Sequence, residues 1–202
     1  NLKYNYESIN SNNSFYKAQI LIDYNNWVNN IYQMNLISGQ GDRNISKYLL
    51  ECYNNILKIK KLNPFQVICQ NYIGIPKNLP TSIRNNLSYS LADTSPFIHT
   101  RIIEGSKSKR SGGGQQQANV DPLINGEIAR ILRRANKGYK VESVFLLSGD
   151  VDFLDMAKNL LGEGIEVTFI GSPPCLSNTI IKECEETPLR LITLDQLLNQ
   201  SI

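Results

Sequence analysis

Apolar residues in this chain come as short blocks separated by stretches with helical spacing, and that rhythm sets the expected architecture. Residues 16–24 contain KAQILID, too apolar and too short for a surface helix. The block reads as a buried strand ending at Asp23. Across 43–60 the apolar side chains Ile45, Leu49, Tyr53, Ile56 and Leu57 form a helical stripe. Pro64 stops that pattern, and 65–75 (FQVICQNYIGI) reads as the next strand. Residues 76–96 hold three prolines and a short helix at 82–91, and 97–104 (FIHTRIIE) is a third strand.

The second half is more regular. Asp121 suits a helix N-cap and Pro122 the first helical position. Leu123, Ile124, Ile128, Ile131 and Leu132 supply the buried face of that helix, which runs to Gly138. A strand at 141–148 (VESVFLLS), a helix at 152–161 ending at Gly162, and a strand at 166–170 (EVTFI) follow. A helix at 176–184, a short strand at 189–192 and a brief helix from Asp195 close the chain. Strands alternating with helices predict an α/β fold, a parallel sheet sandwiched between two helical layers. Ligands in such folds sit beyond the carboxyl ends of the strands, which selects the polar residues to be read chemically.

Composition narrows the picture. The 202 residues are enough for one domain with a real core, and neutral polar residues, Asn above all in the first third, take the place of charge. Residues 1–14 are polar and aperiodic and read as a tail, and 15–202 as one domain. Within it, 105–118 (GSKSKRSGGGQQQA) reads as a flexible basic loop. The net charge of +3 permits a nucleic-acid partner without demanding one. Cys52, Cys69, Cys175 and Cys184 lack CxxC spacing and His99 is the single histidine, which speaks against zinc. Scattered cysteines in a chain of this size read as reduced thiols, and no apolar run has membrane-spanning or signal-peptide character. The expectation is a soluble cytoplasmic domain. A chain beginning at Asn1 rather than Met also reads as a piece of something larger, with room for further domains or a homo-oligomer.

Acidic residues fall where the fold places ligands. Asp23 ends the first strand, Asp150 and Asp152 follow VFLLS in SGDVDF, and Asp121 opens the helix after the basic loop. Two unit charges about 4 Å apart repel by roughly 1 kcal/mol in water and about 4 kcal/mol near a protein surface. Carboxylates that converge therefore imply a bound cation, protonated members, or no convergence at all. An all-oxygen ligand set that keeps waters suits Mg²⁺ or Mn²⁺, which can drive phosphodiester hydrolysis without a protein nucleophile.

On these residues the chain resembles the NYN family of PIN-like nucleases. Ile22, Asp23 and Asn26 match an ID-x-x-N strand end, and Val120–Asp121 a V-D pair leading into a helix. Ser148, Gly149, Asp150, Asp152 and Phe153 match SGD-x-DF, and EVTFIGSPPCLSNTIIKECEETPLRLITL is similar to the family's ending. The resemblance implies a PIN-like, Rossmann-type sandwich and a metal-dependent ribonuclease. Asp23, Asp121, Asp150 and Asp152 would surround the metal, with Asn26 orienting a carboxylate or the phosphate and Ser148 hydrogen-bonding a ligand. It also implies single-stranded or loop RNA as substrate and products bearing 5′-phosphate and 3′-hydroxyl ends. Many members carry Lys where this chain has Ala118; Lys107, Lys109 or Arg110 in the basic loop could replace it at the substrate.

Plainer readings stand beside these. Asp121 and Asp152 each suit a helix cap, Asn26 an Asx-turn, and Trp27 core packing rather than base stacking. Asp23 resists such a reading, because Asp is depleted in strands and no helical pattern is read directly after it. Arg130, Arg133, Arg134 and Lys137 complement a helix C-terminus. The alternative function is a catalytically weak or inactive NYN domain that acts as an RNA-binding or protein-interaction module. A more distant one takes Asp150-Val-Asp152 as the DxD motif of a nucleotide-sugar transferase.

Overall fold

Hydrophobic runs buried on both faces require helices above and below a sheet, and that is what the chain builds. The computed structural model describes residues 16–38, 44–92, 95–105 and 118–199. In chain order the elements are β1 (Ala18–Asp23), α1 (Tyr24–Gln33), α2 (Ile45–Lys60), β2 (Val67–Ile75), α3 (Thr81–Ala92) and β3 (Ile98–Glu104). Then come α4 (Asp121–Ala135), β4 (Ser143–Leu147), α5 (Leu154–Gly162), β5 (Glu166–Gly171), α6 (Asn178–Glu186), β6 (Arg190–Thr193) and α7 (Leu194–Leu198). Short 3₁₀ turns occupy Pro64–Gln66, Val151–Phe153 and Pro173–Cys175.

All strand pairs are parallel, and the order across the sheet is β3-β2-β1-β4-β5-β6. The chain moves outward from β1 to β3, returns to the centre at β4, and moves outward the other way. Right-handed crossovers then put the first set of helices on one face and the second set on the other. The two cores show this division. Ile20, Ile22, Trp27, Leu49, Ile56 and Leu194 belong to the side of α1, α2 and α7. Leu21, Ile124, Ile128, Phe153, Leu160 and Ile180 belong to the side of α4, α5 and α6. Residues of β1 alternate between the two clusters, as a period of two requires. Among the described residues no helix is long and apolar enough to cross a membrane.

Reversal at β1 and β4 opens a crevice beyond their carboxyl ends, where this strand order places ligands. The polypeptide ahead of α4 is pressed onto the neighbouring strand end. A Cβ on Gly74 would lie 2.0 Å from the Ala118 carbonyl oxygen, so only glycine admits that approach. Both ends of the Asn25 carboxamide grip the same residue, Oδ1 accepting from the Gly74 N–H at 2.8 Å and Nδ2 donating to its carbonyl at 3.0 Å.

One whole helix escapes the sequence expectation. α1 begins directly after β1, and Asp23 is its N-cap, accepting from the Asn26 N–H at 3.3 Å. Four asparagines in YNNWVNNIYQ make a poor intrinsic helix, so propensity hides it. Tyr24, Trp27, Val28 and Ile31 nevertheless recur on one buried face. Tertiary packing supplies what propensity lacks. Trp27 is 1% exposed, so it belongs to the core and is not a base-stacking surface.

Candidate metal centre

Each acidic side chain reaches the crevice by a separate local device. Asp121 is not the N-cap of α4. Val120 holds that place, Asp121 is the first helical residue and Pro122 the second. The Asn119 Oδ1 accepts the Asp121 N–H at 2.9 Å, which leaves the Asp121 carboxylate free of capping and beside the positive end of the helix. Asp152 does not cap α5 either. It lies inside the Val151–Phe153 turn, and Asp150 is the cap, accepting the Asp152 N–H at 3.0 Å. That tight turn folds Asp152 back beside Asp150.

Asp121, Asp150 and Asp152 each present a carboxylate oxygen such that all three oxygens lie within 4.8 Å of one another. The first two are partly buried and the third exposed. Asp23 stands outside this trio, 6% exposed at the end of β1. Its carboxylate accepts from the Ser148 hydroxyl at 3.3 Å and from the Asn26 N–H. Burial pushes the Asp23 carboxyl up to about 6, with the charges of Asp121 and Asp150 adding to the rise and the two hydrogen bonds opposing it. Asp121 is raised by burial first and then by Asp150 and Asp152. A site that penalises its own charges is one a cation would relieve, and all-oxygen donors fit Mg²⁺ or Mn²⁺.

Linkage turns the raised Asp23 carboxyl into a prediction. Its folded-state value lies above the ordinary 3.8, so the stability it contributes is present below that value and lost as pH rises through about 6. Asp23→Asn keeps an N-cap oxygen and removes the buried charge. In EDTA the variant should exceed the parent by roughly 2–3 kcal/mol at pH 8, since each tenfold gain in proton affinity on folding is worth about 1.4 kcal/mol, and match it near pH 4. Urea unfolding at the two pH values measures this, and equal stability at pH 8 would refute the linkage.

Ser148 serves the interior. It is 2% exposed, donates its single hydroxyl proton to Asp23, and accepts the Asp150 N–H at 3.2 Å. Its hydroxyl proton is thus taken by Asp23, and a ligand hydrogen bond to Ser148 would use the remaining lone pair of the oxygen. Gly149 is packed face-on against the Pro173–Cys175 turn. A Cβ there would fall 2.1 Å from the Cys175 carbonyl oxygen, and the Ser177 N–H closes the contact by donating to the Gly149 carbonyl at 3.0 Å. Asn26 holds Gly149 as well, its Oδ1 accepting the Gly149 N–H at 3.0 Å.

Sequence reasoning missed Asn25, Asn30 and Ser172, which hold this framework together. The available signal was the i, i+4 pair Asn26 and Asn30 on one helical face. Lys107, Lys109 and Arg110 lie outside the described residues. His99 is exposed on β3, an edge strand away from the β1/β4 crevice.

From the trio a cleft of ≈ 720 Å³ runs between α4, α5 and the start of α6. Asn119, Asn125 and Thr179 offer hydrogen bonds along it. Its charged members are Asp121, Asp152, Asp155 and Glu183 against Lys158, whose ammonium is held by Glu183 at 2.7 Å. The cleft is therefore electronegative, and an anionic ligand meets net repulsion until a cation intervenes. Comparison with known proteins yields no matching protein family, no matching curated protein and no matching solved structure.

Proposed function

We propose that this chain is a metal-dependent ribonuclease of NYN type that hydrolyses phosphodiester bonds in single-stranded or looped RNA. The observation that carries the reading is the meeting of Asp121 with Asp150 and Asp152. These residues come from α4 and from the turn after β4, and their oxygens fall within 4.8 Å of each other at the crevice of the sheet. A Rossmann-type strand order with a glycine-rich first turn would favour a dinucleotide pyrophosphate. Here the first turn reads Asp23-Tyr24-Asn25-Asn26, with no glycine and with the Asp23 carboxylate capping the helix start.

Asp121, Asp150 and Asp152 would hold Mg²⁺ or Mn²⁺, and Asp23 adds a buried negative charge behind them. When bound, the ion activates a water and neutralises charge on the phosphate oxygens. The protein's own part is positional. Gly149, clamped by Asn26 and the Pro173–Cys175 turn, fixes where Asp150 and Asp152 stand. Asn119 keeps the Asp121 N–H occupied. The free thiols of Cys52, Cys69, Cys175 and Cys184 accord with a reducing, cytoplasmic setting.

Purified protein incubated with labelled RNA should cut it in Mn²⁺ and stop in EDTA, leaving 5′-phosphate ends. Asp152→Asn should slow the reaction by about a hundredfold or more. Equal decay by parent and variant would expose a contaminating nuclease. Metal-dependent RNA binding without any cleavage would favour the non-catalytic module instead.

A further inference from the structure

Asn30 is a buried carboxamide, 1% exposed, that the ribonuclease reading leaves without a role. Its Oδ1 accepts from both the backbone N–H of Ser172 and the Ser172 hydroxyl, the latter at 2.9 Å. Its Nδ2 donates to the Asn26 carbonyl at 2.7 Å and to the Asn26 Oδ1 at 2.9 Å. The Asn26 Oδ1 also accepts the Gly149 N–H. Asn26 itself is only partly buried.

Polarity leaves this chain a single arrangement. A backbone N–H only donates, so Ser172 dictates that the Asn30 oxygen faces it and the Asn30 amino group faces Asn26. The Asn26 oxygen must then turn toward two donors, Asn30 and Gly149, the second of which again can only donate. Its own amino group is the end left over, with no partner among the described residues. Reversing either amide would set two donors against each other in a buried place, a cost of about 1–3 kcal/mol for each unmet group. The lock spans α1, the turn after β4 and the end of β5, three elements that meet only in the folded protein.

We infer that Asn30 is a positioning residue that locks the Asn26 carboxamide with its amino group outermost, as a hydrogen-bond donor to a phosphate oxygen of the RNA held at the crevice. The inference rests on the ribonuclease reading for its ligand, while the lock is a property of the protein alone. A donor on the residue bonded to Gly149, next to Asp150, gives a phosphate a neutral contact in an otherwise acidic place. Uncharged amides suit that task, because a lysine there would pair with the carboxylates.

The experiment has two arms. In the first, the ¹⁵N-labelled protein with Mg²⁺ is titrated with inorganic phosphate and the side-chain amide signals are followed by NMR. The Asn26 pair should shift and the Asn30 pair should not. In Asn30→Asp, which still accepts from Ser172 but now offers an oxygen to Asn26, the Asn26 amino group is drawn inward in competition with the Gly149 N–H, and its phosphate shift should weaken. Asn30→Leu removes the Asn30 half of the lock, leaving Gly149 alone to hold Asn26, and should weaken the phosphate response about tenfold.

In the second arm, Asn26→Ala, Asn30→Leu and the double variant are compared in RNA cleavage. Each single change should lower kcat about tenfold, and the double should be no worse than Asn26→Ala, because Asn30 acts only through Asn26. Losses that multiply, or an Asn26 pair in the parent indifferent to phosphate, would overturn the proposal. If the variants fail to fold, a parent whose Asn26 pair ignores phosphate still overturns the proposal. A parent that binds phosphate through Asn26 but cuts no RNA would sink the ribonuclease reading and leave the lock standing.

Discussion

Asp150→Asn is expected to weaken metal binding and RNA cleavage sharply while making the metal-free protein more stable. Asn preserves the local structure, since its oxygen can still cap the Val151–Phe153 turn by accepting the Asp152 N–H. What it loses is one of three converging carboxylates. Divalent-ion affinity should fall by about 10- to 100-fold, as when a supporting ligand is lost elsewhere, and cleavage by about a hundredfold or more. The charge of Asp150 also raises the carboxyls of both Asp23 and Asp121, so its removal relieves repulsion in the empty pocket. A gain of about 1–2 kcal/mol in EDTA follows, between the water and near-surface limits for one charge pair.

The combination is diagnostic, because a mutation that merely damaged the fold would lower both quantities. Thermal unfolding of parent and variant in EDTA and in excess Mn²⁺ gives the answer. Metal should raise the midpoint of the parent by mass action and leave the variant nearly unmoved. A variant less stable than the parent in EDTA, with its metal response intact, would mean that the three carboxylates are a surface coincidence.

Gly149→Ala should be strongly damaging for so small a substitution. The new methyl would meet backbone on the facing turn, 2.1 Å from the Cys175 carbonyl oxygen, 2.8 Å from its carbon and 3.0 Å from the Leu176 Cα. Those atoms cannot rotate aside as a side-chain tip can, so a loss of roughly 2–4 kcal/mol is expected. The movement that relieves the clash also carries Asp150 and Asp152 away from Asp121, and a displacement of about 1 Å can cost a hundredfold in rate. The cause is steric, because Gly149 is not among the described glycines with positive φ. Gly126→Ala is the matched control. Nothing lies within 4 Å of its added methyl on the exposed face of α4, and it should stabilise by about 0.5–1 kcal/mol. Chemical denaturation of the two variants compares them directly. A Gly149→Ala protein as stable as its parent would show that the facing turn yields.

Patterning made most of the framework legible. The block QVICQNYIGI and the block VFLLS are apolar enough to be buried on both sides, and such runs by themselves signal central parallel strands. Helical stripes at 45–57 and 124–131 were equally plain. α1 was not, because its signal is divided between a favourable apolar period and four unfavourable asparagines. Those asparagines are explained only by partners far along the chain: Gly74 for Asn25, Gly149 for Asn26 and Ser172 for Asn30. Local propensity cannot register a hydrogen bond to a residue so distant in sequence.

The same division applies to the carboxylates. Asp23, Asp121, Asp150 and Asp152 were recognisable as strand-end and helix-start acids from order and spacing alone. Which of them touch was not, since the trio forms by the docking of α4 against the turn after β4 while Asp23 stays behind with Ser148. The chain by itself determined the α/β class, the parallel sheet and the acidic edge, because hydrophobic periodicity and turn chemistry are local properties. Tertiary structure decided the strand order, the formation of α1 that Asp23 caps, and the closure of three carboxylates. Each of these depends on groups distant in sequence being pressed together at the reversal between β1 and β4, where packing and polarity leave only one arrangement.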